Sequence, residues 1–169
     1  MGPDCGICGA GKDKGAGVGI TSVIDGVLLQ DLREIPTGGG CVLHMLRADS
    51  PLYMGFGEIY FSEVQPHVVR AWKKHREQTQ LFAVPAGLMR VVLFDARDGS
   101  PTQGAVAEHM LGRPGHYKLL RIPPNIWYGF TPAGDVPALI GNCTDIPHSP
   151  DEVDRLPQDS LLIPYSWRL

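Results

Sequence analysis

Four side chains within six positions could do chemistry on a charged ligand: Arg70, Lys73, Lys74 and His75. An imidazole titrates near ~6.5 and can accept a proton at neutral pH. Ammonium and guanidinium groups hold phosphate and stabilise developing negative charge. If the stretch is extended, Ala71, Lys73 and His75 share one face, and Trp72 and Lys74 share the other. Strict alternation then sets Arg70 opposite Lys73, so joint action requires a bulge or the strand end. Downstream, the run IPPNIWYGF at Ile122–Phe130 carries Trp127 and Tyr128, and Tyr128 is expected to face Lys73 and His75. Lone charges inside a small β domain need a partner or a ligand. The plainer alternatives are that Lys73-Lys74-His75-Arg76 is a solvated edge, or that Lys73 pairs with Glu77 or Asp145 while Tyr128 fills the core.

The elements that must hold these residues read as short strands. Asp25-Gly26 lies between the apolar runs Ile20–Ile24 and Val27–Leu32, a hairpin signal because both turn positions favour positive φ. Pro36–Gly40 reads as a loop, and Cys41–Arg47 as the next strand. His44 alternates with Val42 and is expected on an inward face, as a satisfied core residue or as a ligand. Ile59–Val64, Val68–Trp72, Leu81–Val84, Leu88–Asp95, Ala105–Leu111, Tyr117–Ile122, Trp127–Thr131 and Ala138–Cys143 complete the set. Leu88–Asp95 is apolar almost throughout and should be buried on both faces. Pro123-Pro124 interrupts the ladder, since proline has no N–H to donate. Ser149–Arg155 carries a capping serine, a proline and first-turn acids, and predicts one short helix. The apolar tail Leu161–Trp167 should pack back onto the body. Strands recurring every 8–12 residues between turn signals predict an all-β sandwich or barrel.

Composition narrows the function classes. The chain has 169 residues, 43% of them apolar, with a net charge of −3. That length supports one domain with a sizeable core. Without long basic runs there is no electrostatic footprint for nucleic acid. No stretch approaches the ~20 apolar residues of a membrane span, and no signal core opens the sequence, so a cytoplasmic protein is expected. Residues 1–17 are glycine-rich and read as a flexible tail, leaving 18–169 as the single domain. Cys5 and Cys8 have the spacing of half a zinc site, but no second pair follows. The Gly9–Gly17 run lacks the Gly-Lys-Ser/Thr close of a phosphate loop. Four cysteines (Cys5, Cys8, Cys41, Cys143) suit a reduced compartment.

Residues 35–167 resemble the dTDP-4-dehydrorhamnose 3,5-epimerase-like cupins, in particular a shorter group of nucleotide-sugar epimerases and ketoisomerases. The resemblance is carried by Gly-Glu-Ile-Tyr-Phe-Ser-Glu at 57–63 and Val-Val-Arg-Ala-Trp-Lys-Lys-His at 68–75. It continues in Arg-Ile-Pro-Pro-Asn-Ile-Trp-Tyr-Gly-Phe at 121–130 and Asn-Cys-Thr-Asp-Ile-Pro-His at 142–148. It implies a double-stranded β-helix (jelly roll), a homodimer that exchanges edge strands, and a nucleotide-linked 4-keto-6-deoxy sugar as substrate, with no cofactor. A ketone acidifies the neighbouring C–H bonds: a base takes the proton, a cation stabilises the enolate and an acid returns a proton. On this reading His75 is the base, Lys73 stabilises the enolate, Tyr128 donates the proton and Arg70 holds a phosphate. His44, Gln80, Trp127 and Asn142 then belong to the substrate pocket.

The sequence also departs from that family. Lys73 stands where the epimerases carry their histidine base, and only the second histidine of the ketoisomerase pair survives, as His75. The enolate-stabilising lysine aligns near Gln80, the acid tyrosine falls on Gly141, the histidine after Pro-Pro is Tyr128, and an Arg-Gly pair is Gly39-Gly40. The aspartate that orients the base lies in a C-terminal extension these residues do not include. A metal site is not expected, because Lys73 and Tyr128 replace two ligands that a cupin metal would need beside His75 and Glu77. The alternatives are a sugar-nucleotide-binding cupin without catalysis and, more distantly, a metal-dependent cupin oxygenase.

Overall fold

The computed structural model describes residues 23–168 and is built almost entirely of strands. These are β1 (Leu28–Asp31), β2 (Glu34–Thr37), β3 (Gly40–Leu43), β4 (Glu58–Val64), β5 (Arg70–His75) and β6 (Gln80–Ala86). They are followed by β7 (Leu88–Asp95), β8 (Val106–Gly112), β9 (Lys118–Ile122), β10 (Ile126–Pro132), β11 (Ala138–Thr144) and β12 (Val153–Arg155). One five-stranded sheet runs β1-β9-β6-β11-β4, a second runs β12-β5-β10-β7-β8, and β2-β3 is a separate ribbon. Every pairing is antiparallel. The pairings nest: β7 with β8, β6 with β9, β5 with β10 and β4 with β11. A long hairpin laid over on itself gives this order.

The two sheets close on a common core. Phe82, Val84, Leu120, Ile122 and Ile140 of the first sheet meet Val91, Leu93, Leu111, Tyr128 and Phe130 of the second. β7 and β10 are buried along nearly their whole length, as their apolar sequences require. Each sheet is also covered outside. Leu43, Met45, Leu46 and Leu52 pack on Leu81, Leu119 and Cys143. Ile163, Tyr165 and Trp167 of the C-terminal tail pack on Trp72, Phe94 and Trp127, as the apolar tail sequence leads one to expect.

Several local readings change. The helix expected over 149–155 is one 3-10 turn, Pro150–Glu152, followed directly by β12. Ser149 makes no side-chain cap, and pairing of β12 with β5 takes the chain instead. β1 pairs with β9, and Val23 and Ile24 form no strand, although the Asp25-Gly26 turn is present with Gly26 at φ +79°. The expected loop at 36–40 holds the β2–β3 turn, and the strand expected over 41–47 ends at Leu43. The expected strand Val68–Trp72 is displaced to Arg70–His75. Residues 1–22, with the glycine-rich tail, Cys5 and Cys8, lie outside the described residues. No helix among the described residues is long and apolar enough to cross a membrane.

Candidate active site

The site begins at β5. Tyr128 of β10 pairs with Lys73, and Phe130 pairs with Arg70, so three steps on β5 oppose two on β10. Tyr128 and Phe130 share the inward face of β10. The register shift therefore turns Arg70 to the same side as Lys73 and His75, the bulge that its joint action requires. Gly129 lies at the shift because nothing larger fits: a Cβ there would come within 2.5 Å of Ala71 Cβ and 2.7 Å of Trp167 Cζ2. Trp72 faces the other way, into the cluster under the C-terminal tail.

His75 is buried at the end of β5 and held at both ring nitrogens. Its Nδ1 lies 2.6 Å from Glu152 Oε2, and its Nε2 lies 3.0 Å from Tyr128 Oη. Glu152 is itself fixed, since its Oε1 accepts the backbone N–H groups of Glu77 and Gln78, both at 2.8 Å. Burial alone would raise the Glu152 pKa, but those two N–H donors and His75 outweigh it, so the carboxylate stays ionised. Burial pushes the His75 pKa below its ordinary value, and the Glu152 hydrogen bond offsets only part of that. An ionised carboxylate beside a neutral imidazole fixes the tautomer. Nδ1–H donates to Glu152, and the Nε2 lone pair accepts the Tyr128 hydroxyl.

Tyr128 is 3% exposed, stacked parallel to the His75 ring at 5.8 Å and edge-on to Phe82. Burial drives its pKa far up, so it remains a phenol. It faces His75 as the sequence suggests, but its proton goes to the imidazole. Tyr128 is therefore not placed to be the donor to a ligand; the partner it meets first is His75.

Lys73 pairs through its backbone with Tyr128 on one side and Arg155 on the other, so the three side chains share a face. Burial lowers the Lys73 pKa, and the charges of Arg155 and Arg70 lower it further. Lys73 forms no ion pair with any described residue, and neither Glu77 nor Asp145 reaches it. Asp145 instead accepts the Thr79 N–H at 2.8 Å. Arg70, Lys73 and Arg155 line one open groove of about 480 Å³ between β5 and β12. Three cations together without a carboxylate make a site for an anion.

The opposite sheet contributes a polar chain. Gln80 and Asn142 are each 1% exposed and point inward. Asn142 Oδ1 accepts the Leu81 N–H at 3.2 Å, which orients its amide. Asn142 Nδ2 then donates to Gln80 Oε1 at 2.6 Å and to Tyr60 Oη at 2.8 Å. Gln80 Nε2 donates to Gln78 Oε1 at 2.8 Å, and Gln78 Nε2 donates to the Ile146 carbonyl at 2.7 Å. Gln80 and Asn142 thus hold each other and Tyr60 within the first sheet.

Two expected pocket residues are not brought to this site. Trp127 neighbours Tyr128 in sequence and so must face the other side of β10, where it packs beneath Lys74 at 5.1 Å and against the C-terminal tail. His44 follows β3, beyond the strand, and lies in a separate cleft with Arg33, Arg47 and Gln30. Its segment covers the outer face of the first sheet, so it is not on an inward face.

Glu152, Arg155 and Tyr60 are the residues that motif reading missed. The acids of Ser149–Arg155 look like the first turn of a helix, which hides that one of them is the histidine's partner. The carboxylate that orients His75 therefore lies within these residues, without the C-terminal extension. Among the described residues, no three of His, Cys, Asp and Glu converge as a metal site.

No protein-family model matches the chain. The probable low-salt glycan biosynthesis epimerase Agl13 of Haloferax volcanii is 36% identical over 149 residues, covering 85% of this chain and 94% of the relative. A dTDP sugar isomerase from Desulfovibrio desulfuricans G20 has a similar structure, with a TM-score of 0.85 and 59% identity over 86% of this chain and 92% of that one. At 18% identity, the dTDP-4-dehydrorhamnose 3,5-epimerase of Bacillus anthracis shares the fold, with a TM-score of 0.73 over 90% of each chain. Sequence and structure agree that the chain belongs to the dTDP-4-dehydrorhamnose 3,5-epimerase-like family of sugar-nucleotide epimerases and isomerases.

Proposed function

We propose that this protein removes and returns a proton next to the ketone of a nucleotide-linked 4-keto-6-deoxy sugar, with a dTDP-sugar as the first substrate to test. The observation that carries this reading is a buried, carboxylate-oriented imidazole, His75, on the same strand as a groove of three cations that no carboxylate among the described residues neutralises. Arg70 and Arg155 hold the diphosphate, and Lys73 meets the ketone oxygen as it becomes an enolate. His75 Nε2 takes the proton. The Tyr128 hydroxyl, the donor to Nε2 in the free protein, must first turn away to free that lone pair, and Glu152 then holds the ring through Nδ1–H. Glu152 stabilises the charge that forms on it. The nested strand pairing supports a jelly roll of the cupin type, built as a single domain. A homodimer follows from β4, an edge strand whose Ile59 and Phe61 are exposed beside Phe56.

The test is deuterium incorporation from D2O into a dTDP-linked 4-keto-6-deoxyhexose, read by mass spectrometry. Wild type should exchange, and His75→Ala should lose at least ~10²-fold of the rate. Tight binding without exchange, for dTDP-, GDP- and CDP-sugars alike, would leave a binding protein in place of an enzyme.

A further inference from the structure

β5 carries two adjacent lysines with opposite surroundings. Lys74 Nζ lies 3.1 Å from Asp154 Oδ2 and 5.1 Å from the centre of the Trp127 ring, so its charge is met on both sides. Lys73 points to the other face, half-buried, and pairs with no carboxylate among the described residues. Its neighbours in the groove are cations: Arg70 on its own strand, and Arg155, its backbone partner on β12. Both arginines are exposed, Lys73 lies deeper, and His75 is buried at the strand end. The strand thus grades from guanidinium groups at the surface to an amine and then to a base. A guanidinium keeps its proton, whereas an ammonium can give one up. Burial acts against the Lys73 ammonium, and the charges of Arg155 and Arg70 add to it. A desolvated lysine beside other cations is how an amine becomes a nucleophile near neutral pH. The Lys73 charge also acts on His75, so amine and imidazole lie within electrostatic reach of each other.

We propose that Lys73 is a nucleophile that captures the ketone of the sugar as a Schiff base, so that His75 takes its proton from an iminium. This role rests on the sugar-nucleotide reading above, and it gives Lys73 a bond where that reading needs only contact with the oxygen. The Nζ lone pair adds to the ketone carbon, the C=O electron pair moves to oxygen, and one N–H proton passes to that oxygen. With a second proton from solvent the hydroxyl leaves as water, and a C=N bond carrying one positive charge remains. The adjacent C–H bond then breaks toward His75 Nε2. Its electron pair forms an enamine and quenches the iminium charge. One positive charge passes from the iminium to the imidazole, so the number of cations beside Arg70 and Arg155 stays constant through the proton transfer. The imidazolium returns a proton to carbon, and water adds to the iminium and releases ketone and amine.

The test is trapping of wild type with a dTDP-linked 4-keto-6-deoxyhexose and sodium cyanoborohydride, which reduces an iminium in preference to a ketone. The chain mass should rise by that of the sugar nucleotide less one oxygen, and peptide mapping should place the adduct on Lys73. His75→Ala should lose deuterium exchange and still give the adduct, because capture precedes proton removal. Lys73→Arg keeps the positive charge but forms no C=N bond to the sugar. It should still bind dTDP, lose the adduct and lower deuterium exchange ~10²-fold or more. Oxygen-labelled water gives a readout without any variant: wild type should speed entry of the label into the ketone. If wild type exchanges deuterium but yields neither adduct nor faster oxygen exchange, Lys73 is no nucleophile while the proton-transfer function stands. Wild-type exchange in Lys73→Arg, or an adduct on Lys74 or Lys118 instead, would overturn the role equally. If wild type neither binds nor exchanges any such sugar, both fail together.

Discussion

Glu152→Gln tests the orientation of the base with almost no change in volume. The amide would keep a carbonyl oxygen for the Glu77 and Gln78 N–H groups, but it would turn an NH2 toward His75 Nδ1. Two donors cannot face each other at 2.6 Å. The imidazole must move its proton to Nε2, which removes the lone pair that accepts the substrate proton. General-base catalysis is worth ~10²–10⁴-fold, or about 2.7–5.5 kcal/mol at 1.36 kcal/mol per tenfold. Three charge-assisted hydrogen bonds become neutral ones, a stability loss of about 1–3 kcal/mol. For a chain of this size that lowers Tm by roughly 3–10 °C.

The pH profile separates loss of the base from general damage. Burial sets the depressed pKa of His75, and Glu152 opposes that shift. Wild-type kcat/KM should therefore hold through neutral pH and fall only below the ordinary histidine value near ~6.5. Without the carboxylate the imidazolium loses support, so the acid limb of the residual activity should move lower still. Stability has its own sign. The folded protein binds fewer protons at His75 than the unfolded chain does, so His75 costs stability as pH falls below ~6.5. The Glu152 contribution persists above the ordinary carboxylate range and is lost as pH falls through its depressed pKa. Glu152→Gln should flatten that last part of the Tm curve. Exchange within threefold of wild type, with an unmoved acid limb, would refute the orienting role.

Two further outcomes follow from the fold. Gly129→Ala drives a methyl into Ala71 and Trp167, so it should cost about 1–3 kcal/mol and raise KM by disturbing the bulge that turns Arg70 inward; a melt and KM at wild-type values would show that the close approach does not matter. Light scattering should give twice the 18.4 kDa chain mass, and Phe61→Glu, at a ring 61% exposed on the edge strand, should shift it toward the monomer; a wild-type monomer would remove the edge-strand argument.

The architecture was legible because its signal is local. Apolar runs with turn residues between them produce strands whatever their partners, and Leu88–Asp95 reads as doubly buried from its own composition. Alternation also placed Lys73 beside His75, and the structure agrees. The helix at 149–155 failed because a capping pattern measures only what the segment would do alone. Pairing with β5 outweighs a three-residue turn, and the same pairing carries Glu152 to His75 and Arg155 to Lys73. Trp127 failed for the opposite reason: it adjoins Tyr128 in sequence, and in a strand adjacency means opposite faces. Tyr60 and His75 come from different sheets, and no spacing along the chain encodes that closure.

Arg70 shows where the boundary lies. Period-two alternation assigns it to the wrong side of Lys73, and a residue count cannot tell a straight strand from a bulged one. What decides is Gly129, a position where any side chain would collide with Ala71 and with Trp167 of the tail. The tail presses on the outside of β5, the glycine lets the strands close there, and the shifted register turns the guanidinium inward. The groove of three cations is thus set from the far face of the sheet. A ligand that carries a ketone some distance from two phosphates suits what results: charge spread along the groove, and a single oriented base buried at the end of the same strand.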